Sequence, residues 1–155
     1  MIFVTTGTQE PFDRFLKIID AIVPYLHEEI IVQAFRDIYN PKNFSLREFI
    51  SPGEFVSIME RSRLVVSHAG MGTILSALRM DKPIVVFPRV AAMGEHRNEH
   101  QIESANKMYD MGYVYLASDE NALQSYMLNK NIQPLKKIDN KASDSLINSL
   151  VDFIG

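Results

Sequence analysis

Residues 64–78, LVVSHAGMGTILSAL, join an apolar run, a glycine turn and a second apolar run with a different spacing. The first run is typical of a strand buried on both faces, and the apolar residues after Gly70 and Gly72 recur at helical spacing. Such a turn exposes backbone N–H groups at the positive end of a helix dipole, and glycine lets a ligand approach the backbone closely. The stretch therefore predicts either a phosphate-binding turn or a plain connection between a strand and a helix.

The same pattern occurs at the start of the chain. A β-branched and aromatic run over residues 2–5 leads into the turn TGTQ, and apolar residues spaced by three and four follow from Pro11. Further strands are predicted at 29–35, 46–50, 64–67, 84–87 and 113–116, and further helices at 51–62, 73–80, 99–111, 118–129 and 142–154. Because strands and helices alternate and several strands are wholly apolar, the sequence predicts an α/β sandwich around a mostly parallel sheet.

Capping residues mark three of the predicted helix ends. Ser51 is followed directly by proline and, three residues on, by Glu54, which is typical of a helix start. Gly112 stands where the cap of the helix 99–111 is expected, and Asp119 belongs to a capping segment before the next helix. These residues predict where three helices begin or end.

Composition and charge restrict the classes of function. The 155 residues carry a net charge of -3, which gives no general attraction to nucleic acid or anionic lipid, so any anion site must be local. The absence of cysteine excludes disulfides, thiolate metal sites and thiol nucleophiles. The first residues lack the basic flank of a signal peptide, and no apolar run approaches the roughly 20 residues that span a bilayer. We expect a single cytoplasmic domain over residues 1–155.

Three predicted loops meet at one edge of the sheet, beyond the carboxyl ends of the strands, where such sheets bind ligands. The first loop offers backbone N–H groups and the hydroxyls of Thr6 and Thr8, and the second offers His68, two glycines and Thr73. The third carries charged and amide side chains: Arg89, Glu95, His96, Arg97, Asn98, Glu99, His100 and Gln101. Backbone donors, hydroxyls and cationic side chains together suit a diphosphate, so we expect the ligand to be a nucleotide.

Familiar nucleotide and metal motifs do not occur in this sequence. The chain has no phosphate loop ending in lysine and Ser/Thr, and no glycine triplet of the dinucleotide type. A metal site made from Glu95, His96, Glu99 and His100 competes with ordinary capping and solvation of a first helical turn, and we predict no metal. His68 also has a simpler interpretation, since a histidine after a buried strand is often hydrogen-bonded to backbone.

The segments 67–73 (SHAGMGT), 82–88 (KPIVVFP) and 99–101 (EHQ) resemble, in this order and spacing, the C-terminal, nucleotide-sugar-binding domain of glycosyltransferase family 28. The start of the chain, IFVTTGTQ with FDR after it, is similar to a subgroup in which this domain is a separate short chain. That subgroup includes the catalytic subunit of the eukaryotic two-part dolichol-linked N-acetylglucosamine transferase and bacterial exopolysaccharide and capsule transferases of the PssE type. The resemblance implies the Rossmann-like C-terminal half of a GT-B enzyme, with a UDP-sugar as its substrate.

The resemblance also implies a donor site. The residues that match the family's donor-binding loops are Gly7, Thr8, Gln9, His68, Gly70, Gly72, Thr73 and Gln101. Ser76 stands where many members have a ribose-binding glutamate, and a hydroxyl binds a ribose more weakly than a carboxylate does. We add Arg89 and His100, which lie on the third loop, to complete the predicted donor site.

A GT-B enzyme of this kind is expected to invert the anomeric carbon without a metal or cofactor, while a helix dipole and hydrogen-bond donors stabilise the departing UDP. A membrane-associated partner subunit would bind the acceptor and recruit this chain to the cytoplasmic face of the membrane. The product would be a lipid-linked saccharide extended by galactose or N-acetylglucosamine for exopolysaccharide or capsule synthesis. The general base would lie mainly in the partner, and Glu95 and His96 are the local candidates.

Two other functions fit the same sequence. A non-catalytic subunit could stabilise its partner without using a donor. A different α/β nucleotide-binding enzyme, such as a sugar epimerase, would need more residues for chemistry beside the nucleotide. The helix predicted at 142–154 has an apolar side but no basic face, so we expect it to pack on the domain or on the partner rather than on lipid.

Overall fold

The computed structural model of the protein describes residues 1–7, 11–35, 39–94 and 100–136. Its strands are β1 (Ile2–Thr5), β2 (Ile30–Gln33), β3 (Leu46–Arg47), β4 (Leu64–Ser67), β5 (Ile84–Val86) and β6 (Tyr115–Leu116). Its α-helices are α1 (Asp13–Ile22), α2 (Pro52–Arg61), α3 (Met71–Arg79), α4 (His100–Asp110) and α5 (Glu120–Leu128), with 3-10 turns at Val23–Tyr25 and Ala91–Met93.

The strands form one parallel sheet in the order β3-β2-β1-β4-β5-β6. Side chains leave its two faces alternately, as the register of a strand requires. On β1, Ile2 and Val4 enter a core that contains residues of α1 and α5, whereas Phe3 enters a second core with residues of α2, α3 and α4. Helices therefore cover both faces, and the predicted α/β sandwich around a mostly parallel sheet is confirmed.

Capping residues set the helix ends as predicted. The Ser51 hydroxyl accepts a hydrogen bond from the Glu54 N–H at 3.2 Å, and α2 starts at the proline between them. Gly112 follows α4 with a φ of +78°, in the left-handed region that favours glycine. The Asp119 carboxylate accepts from the backbone N–H three residues later at 2.8 Å, at the start of α5. All three predictions of a helix boundary are confirmed.

Several predicted elements have different limits in the structure. The strands predicted at 29–35, 46–50, 84–87 and 113–116 are shortened to β2, β3, β5 and β6. The reason is clearest for β3, which pairs only with Val32 and Gln33 because β2 ends there, so residues 48–50 are not part of the strand. The helix predicted to start near Thr73 begins at Met71, with Gly70 as its extended N-cap. The helix predicted at 142–154 lies outside the described residues.

Candidate functional site

The strand order places a cavity at the carboxyl edge of the sheet. The connections after β1 and β4 leave in opposite directions, and in open α/β sheets the crevice between two such neighbouring strands is the usual ligand site. The structure has a cavity of about 540 Å³ there, within the range of about 300–1,000 Å³ that is typical of ligand pockets. Its wall consists of Thr5, Thr6, Gly7, Gln33, Phe49, Ile50, Phe55, His68, Gly70, Gly72, Thr73, Arg89 and Gln101.

Most of the predicted donor residues that the structure describes lie in this wall. They come from all three predicted loops and are Gly7, His68, Gly70, Gly72, Thr73, Arg89 and Gln101. Thr8, Gln9, Glu95 and His96 lie outside the described residues, and His100 is described only as the first residue of α4. The predicted meeting of three loops at one edge is therefore confirmed, while their binding roles stay predictions.

His68 lies between the two glycine turns. Its Nδ1 is 3.3 Å from the Thr5 carbonyl oxygen and 3.3 Å from the Ser67 hydroxyl oxygen, and the tautomer with its proton on Nδ1 can donate to that carbonyl. A Cβ on Gly70 would come within 2.3 Å of His68 Nε2, and a Cβ on Gly7 within 2.8 Å. Both glycines are needed for the histidine ring to fit. This requirement differs from the predicted one, in which glycine makes room for a ligand.

Gly72 is the glycine that faces open space. It is the second residue of α3, and a Cβ there would meet nothing within 4 Å among the described residues. Gly70 caps α3 without a side-chain hydrogen bond, so the first N–H groups of the helix have no side-chain acceptor at the cap. Open space at the positive end of a helix dipole favours a bound anion.

Two backbone N–H groups of the first glycine turn donate within the protein. The Thr6 N–H donates to the Gln33 carbonyl at 3.0 Å, and the Gly7 N–H donates to the Thr5 hydroxyl at 3.2 Å. The protein itself therefore uses these two N–H groups, and the other N–H groups of the predicted loop at residues 8–10 lie outside the described residues. The Thr6 hydroxyl, in contrast, is buried in the cavity wall and has no hydrogen-bond partner in the part of the chain that the structure describes. A ligand that donates or accepts there would satisfy it.

Arg89 and Gln101 hold the third side of the cavity. The Arg89 side chain donates through Nη2 to the Thr6 carbonyl at 2.7 Å and lies 4.9 Å from the centre of the Phe12 ring. Its backbone N–H donates to Gln101 Oε1 at 3.0 Å. Because the Gln101 oxygen is engaged there, its NH₂ group is the part of the side chain that can donate to a ligand. Arg89 therefore builds the wall and adds positive charge, and Gln101 contributes a hydrogen-bond donor.

Ser76 is not part of the cavity wall. Its hydroxyl donates to the Gly72 carbonyl at 2.9 Å, one turn back along α3. A serine inside a helix commonly forms this bond with its own backbone, and the hydroxyl then turns along the helix rather than away from it. The described geometry gives no support to a ribose contact from Ser76.

Sequence analysis missed the opposite end of the cavity. Gln33 ends β2, and Phe49, Ile50 and Phe55 come from the segment after β3 and from α2. Phe49 is 75% exposed, which is unusual for so large an apolar side chain beside a polar cavity. The available signal was topological, because β2 and β3 are parallel to β1 and their carboxyl ends must reach the same edge.

The two ends of the cavity differ in chemistry. One end has the start of α3, the Gly72 space and the charge of Arg89, and the other has two phenylalanines and an isoleucine. An anionic group suits the first end, and a flat, partly apolar ring suits the second. A nucleoside diphosphate has both parts, and the described wall offers no carboxylate that would repel it.

Neither a metal centre nor a membrane span is found in the part of the chain that the structure describes. Within it, no three His, Asp or Glu side chains converge so as to hold a metal ion. The carboxylates and imidazole at 95, 96 and 99 lie outside that part. None of the described helices combines the length and the apolar character needed to cross a bilayer.

Comparison with known proteins gives a family. Residues 1–154 match the glycosyltransferase family 28 C-terminal domain. The chain is 38% identical over 87 residues to the UDP-N-acetylglucosamine transferase subunit ALG13 of Cryptococcus neoformans var. neoformans serotype D, a match covering 55% of this chain and 38% of that protein. It is 34% identical over 98 residues to the Saccharomyces cerevisiae subunit of the same name, covering 63% and 46%. The chain thus spans less than half the length of these curated relatives.

Comparison of structures agrees with the comparison of sequences. The NMR solution structure of ALG13 superimposes with a TM-score of 0.63 and 22% identity, covering 99% of this chain and 96% of that one. At this identity the likeness concerns the fold, and it confirms the predicted Rossmann-like half of a GT-B glycosyltransferase. With a family match over nearly its whole length and the fold that this family has, the chain belongs to the glycosyltransferase family 28 C-terminal domain family.

Proposed function

We propose that this chain is the donor-binding subunit of a UDP-sugar glycosyltransferase and that UDP occupies the cavity between β1 and β4. The observation that carries the proposal is the pairing of an anion-favouring end at Gly72 with an apolar end at Phe49 and Ile50. The diphosphate would lie against the first turn of α3, and the base would lie against the apolar wall. Membership of the family and the names of the ALG13 relatives support the same donor class.

The proposed reaction transfers a sugar from UDP to an acceptor hydroxyl. The acceptor oxygen attacks the anomeric carbon as the bond to the UDP oxygen breaks, so the carbon is inverted and a base takes the hydroxyl proton. Negative charge grows on the departing diphosphate. The α3 dipole and the Gln101 NH₂ group would stabilise that charge, and Arg89 would add to the field from its place in the wall. Glu95 and His96 are the candidates in this chain for the base, which we otherwise assign to a partner.

We further propose a lipid-linked saccharide as the acceptor and a membrane-associated subunit as the partner. The two relatives are named as subunits of UDP-N-acetylglucosamine transferases, which favours N-acetylglucosamine over galactose as the sugar. A subunit that binds only the donor needs a second one for the acceptor, and the partner would bring this chain to the cytoplasmic face of the membrane. Exopolysaccharide or capsule synthesis is the process we propose for the product.

Isothermal titration calorimetry of the purified chain tests the donor site. We expect UDP to bind more tightly than UMP, because only UDP places a second phosphate at the start of α3. We also expect UDP to bind more tightly than ADP, because the relatives are named as subunits of UDP-N-acetylglucosamine transferases. Binding of adenine nucleotides without binding of UDP would contradict the proposal.

A non-catalytic, partner-stabilising subunit is the alternative, and the absence of a carboxylate from the described cavity wall favours it. Cells that carry Gly72→Asp or Gln101→Ala separate the two functions. If the chain uses a donor, both variants reduce synthesis of the saccharide while the protein level stays normal. Normal synthesis with both variants would favour the non-catalytic subunit.

A further inference from the structure

Gln33 is a buried amide at the centre of the cavity's hydrogen bonds. It is the last residue of β2, its backbone pairs with Thr5 on one side and Arg47 on the other, and it is only 6% exposed. The Thr5 hydroxyl donates to its Oε1, and its Nε2 is 3.3 Å from the Gly7 carbonyl and 3.2 Å from the Glu48 carbonyl. One side chain therefore joins the ends of three neighbouring strands.

These partners leave one orientation for the amide. The carbonyl oxygens of Gly7 and Glu48 can only accept, so each needs a donor, and only the NH₂ group supplies two. The Thr5 hydroxyl has a single proton, which goes to Oε1, while its oxygen accepts from the Gly7 N–H at 3.2 Å. An ionised carboxylate cannot replace this pattern, and a methionine of similar length cannot form it at all.

The two donor bonds of Gln33 reach two segments that lead into the cavity wall. Gly7 belongs to the turn beside His68 and is held at its N–H by Thr5 and at its carbonyl by Gln33. Glu48 directly precedes the apolar wall formed by Phe49 and Ile50. The amide thus fixes the apolar wall relative to the Gly7 turn, which contacts His68 beside the start of α3.

We propose that Gln33 is a positioning residue that holds the Gly7 turn and the apolar wall in the relative position that a nucleoside diphosphate needs in order to reach both ends of the cavity. The inference rests on the proposed function and adds a residue that acts without touching the ligand's reacting atoms. Loss of the amide removes the donor from two partly buried carbonyls, those of Gly7 and Glu48, and each strand end can then shift separately. A ligand that bridges both ends requires the correct spacing, whereas a ligand that fills one end does not.

Gln33→Met tests the proposal with three probes: UDP, uridine and inorganic pyrophosphate. We expect UDP affinity to fall by about 10-fold to 30-fold, while the affinities for uridine and pyrophosphate, measured by NMR titration, change by less than about 3-fold. Equal losses for all three probes, or no loss for UDP, would overturn the proposal. Failure of wild-type protein to bind UDP would instead contradict the proposed function, so the two failures are distinguishable.

Ser62→Ala is the control for stability. Ser62 is 1% exposed and donates to the Ile58 carbonyl at 2.7 Å, at the end of α2 that lies away from the cavity. Removal of the Ser62 hydroxyl breaks one buried hydrogen bond and leaves the cavity wall intact, whereas removal of the Gln33 amide breaks several hydrogen bonds. We expect Ser62→Ala to lower the unfolding temperature and to leave UDP affinity unchanged; a comparable fall in UDP affinity would assign the Gln33 effect to stability alone.

Gln33→Glu provides a second test of the proposal if the methionine variant does not fold. The ionised carboxylate of this variant would face two carbonyl oxygens, and protonation would return one donor. Relative to wild type at the same pH, UDP affinity of the variant should be about 10-fold lower at pH 8 and recover several-fold at pH 5.5. A ratio that stays constant with pH would contradict the role of the Gln33 donor bonds.

Discussion

The two edges of the sheet use polar residues differently. At the amino edge, Glu28 is surrounded by cations: Arg63 Nε lies 2.9 Å from its carboxylate, Lys130 Nζ 2.8 Å and the amino group of Met1 3.1 Å. Arg63 and Lys130 also donate to backbone carbonyls at the ends of α5 and the turn before β2. At the carboxyl edge, the Thr6 hydroxyl has no partner among the described residues, and the space at Gly72 is open.

This difference between the edges indicates that the amino edge serves stability and that the carboxyl edge is available for binding. Every charged group at Glu28 has a partner within the protein, so this edge can contribute to stability but has little capacity left for a ligand. At the carboxyl edge, hydrogen bonds within the protein hold the cavity wall in place. They leave the Thr6 hydroxyl and the space at Gly72 for a ligand. Substitutions at the amino edge should therefore change unfolding, and substitutions at the carboxyl edge should change binding.

Gly72→Asp should have the largest effect on binding. The carboxylate would project into the open space where we propose the diphosphate binds. The negative charges of the carboxylate and the diphosphate would repel each other strongly in a partly enclosed site. We expect UDP affinity to fall by about 100-fold, or about 3 kcal/mol, measured by calorimetry. Binding within a few-fold of wild type would place the diphosphate elsewhere.

Gly53→Asp is the matched control for this change. Gly53 is the second residue of α2, as Gly72 is of α3, and a Cβ at either position meets nothing within 4 Å in the described part of the chain. Aspartate in the first turn of a helix interacts favourably with the dipole in both variants. Only one of the two glycines borders the cavity, so Gly53→Asp should leave UDP affinity unchanged.

Gly70→Ala should affect stability and binding together. The new methyl group would overlap His68 Nε2, so the ring must move and lose its hydrogen bond to the Thr5 carbonyl. We expect unfolding free energy in urea to fall by about 2 kcal/mol and UDP affinity to fall as well. Adding His68→Ala should restore part of the stability but not the binding.

Gly72→Ala is the control for the general effect of replacing a glycine by alanine in this segment. It adds the same methyl group two residues later, inside α3 and into open space, where alanine favours the helix by up to about 1 kcal/mol. A loss of stability at residue 72 as large as that at residue 70 would show that overlap with His68 is not the cause.

Glu28→Gln should change stability without changing binding. Burial raises the pKa of the Glu28 carboxyl, but hydrogen bonds from Arg63, Lys130 and the amino terminus outweigh it and lower the pKa from 4.5 to about 2. A carboxyl with a lowered pKa stabilises the fold above its unfolded value and loses this effect as the pH falls toward its folded value. We expect a loss of about 1.5 kcal/mol at pH 7, shrinking between pH 4.5 and pH 2.

Urea unfolding at pH 7 and pH 3 measures this difference, with Glu29→Gln as the control. Glu29 is the next residue and is exposed, so its substitution should change the unfolding free energy by less than about 0.5 kcal/mol at either pH. A difference between wild type and Glu28→Gln that does not change with pH would contradict the role assigned to the ionised carboxylate.

The sequence predicted the fold and the meeting of three loops because both depend on local patterns. Apolar runs, capping residues such as Ser51 and glycine turns are readable one segment at a time. The apolar end of the cavity depends on long-range pairing: Gln33 looks like an ordinary strand residue, and its hydrogen bonds arise only where Glu48 and Gly7 approach it. The use of the Thr6 N–H within the protein could not be predicted for the same reason, since its acceptor is the Gln33 carbonyl.

Ser76→Ala should have the smallest effect on UDP affinity, and it tests how far the binding site extends along α3. Although Ser76 follows the glycine turn by only a few residues, its hydroxyl donates to the Gly72 carbonyl and the residue lies outside the cavity wall. Removal of the hydroxyl should change UDP affinity by less than about 2-fold and stabilise α3 by about 0.5 kcal/mol, since alanine has the higher helix propensity.

Ser57→Ala, on the exposed side of α2, provides the same gain in helix propensity away from the cavity. If Ser76→Ala and Ser57→Ala raise stability equally and neither changes UDP affinity, the ribose is held by residues other than Ser76. A loss of UDP affinity of about 5-fold in Ser76→Ala alone would mean that the hydroxyl exchanges its bond to the Gly72 carbonyl for a bond to the ribose. The edge that binds would then extend one turn further along α3 than the unliganded geometry indicates.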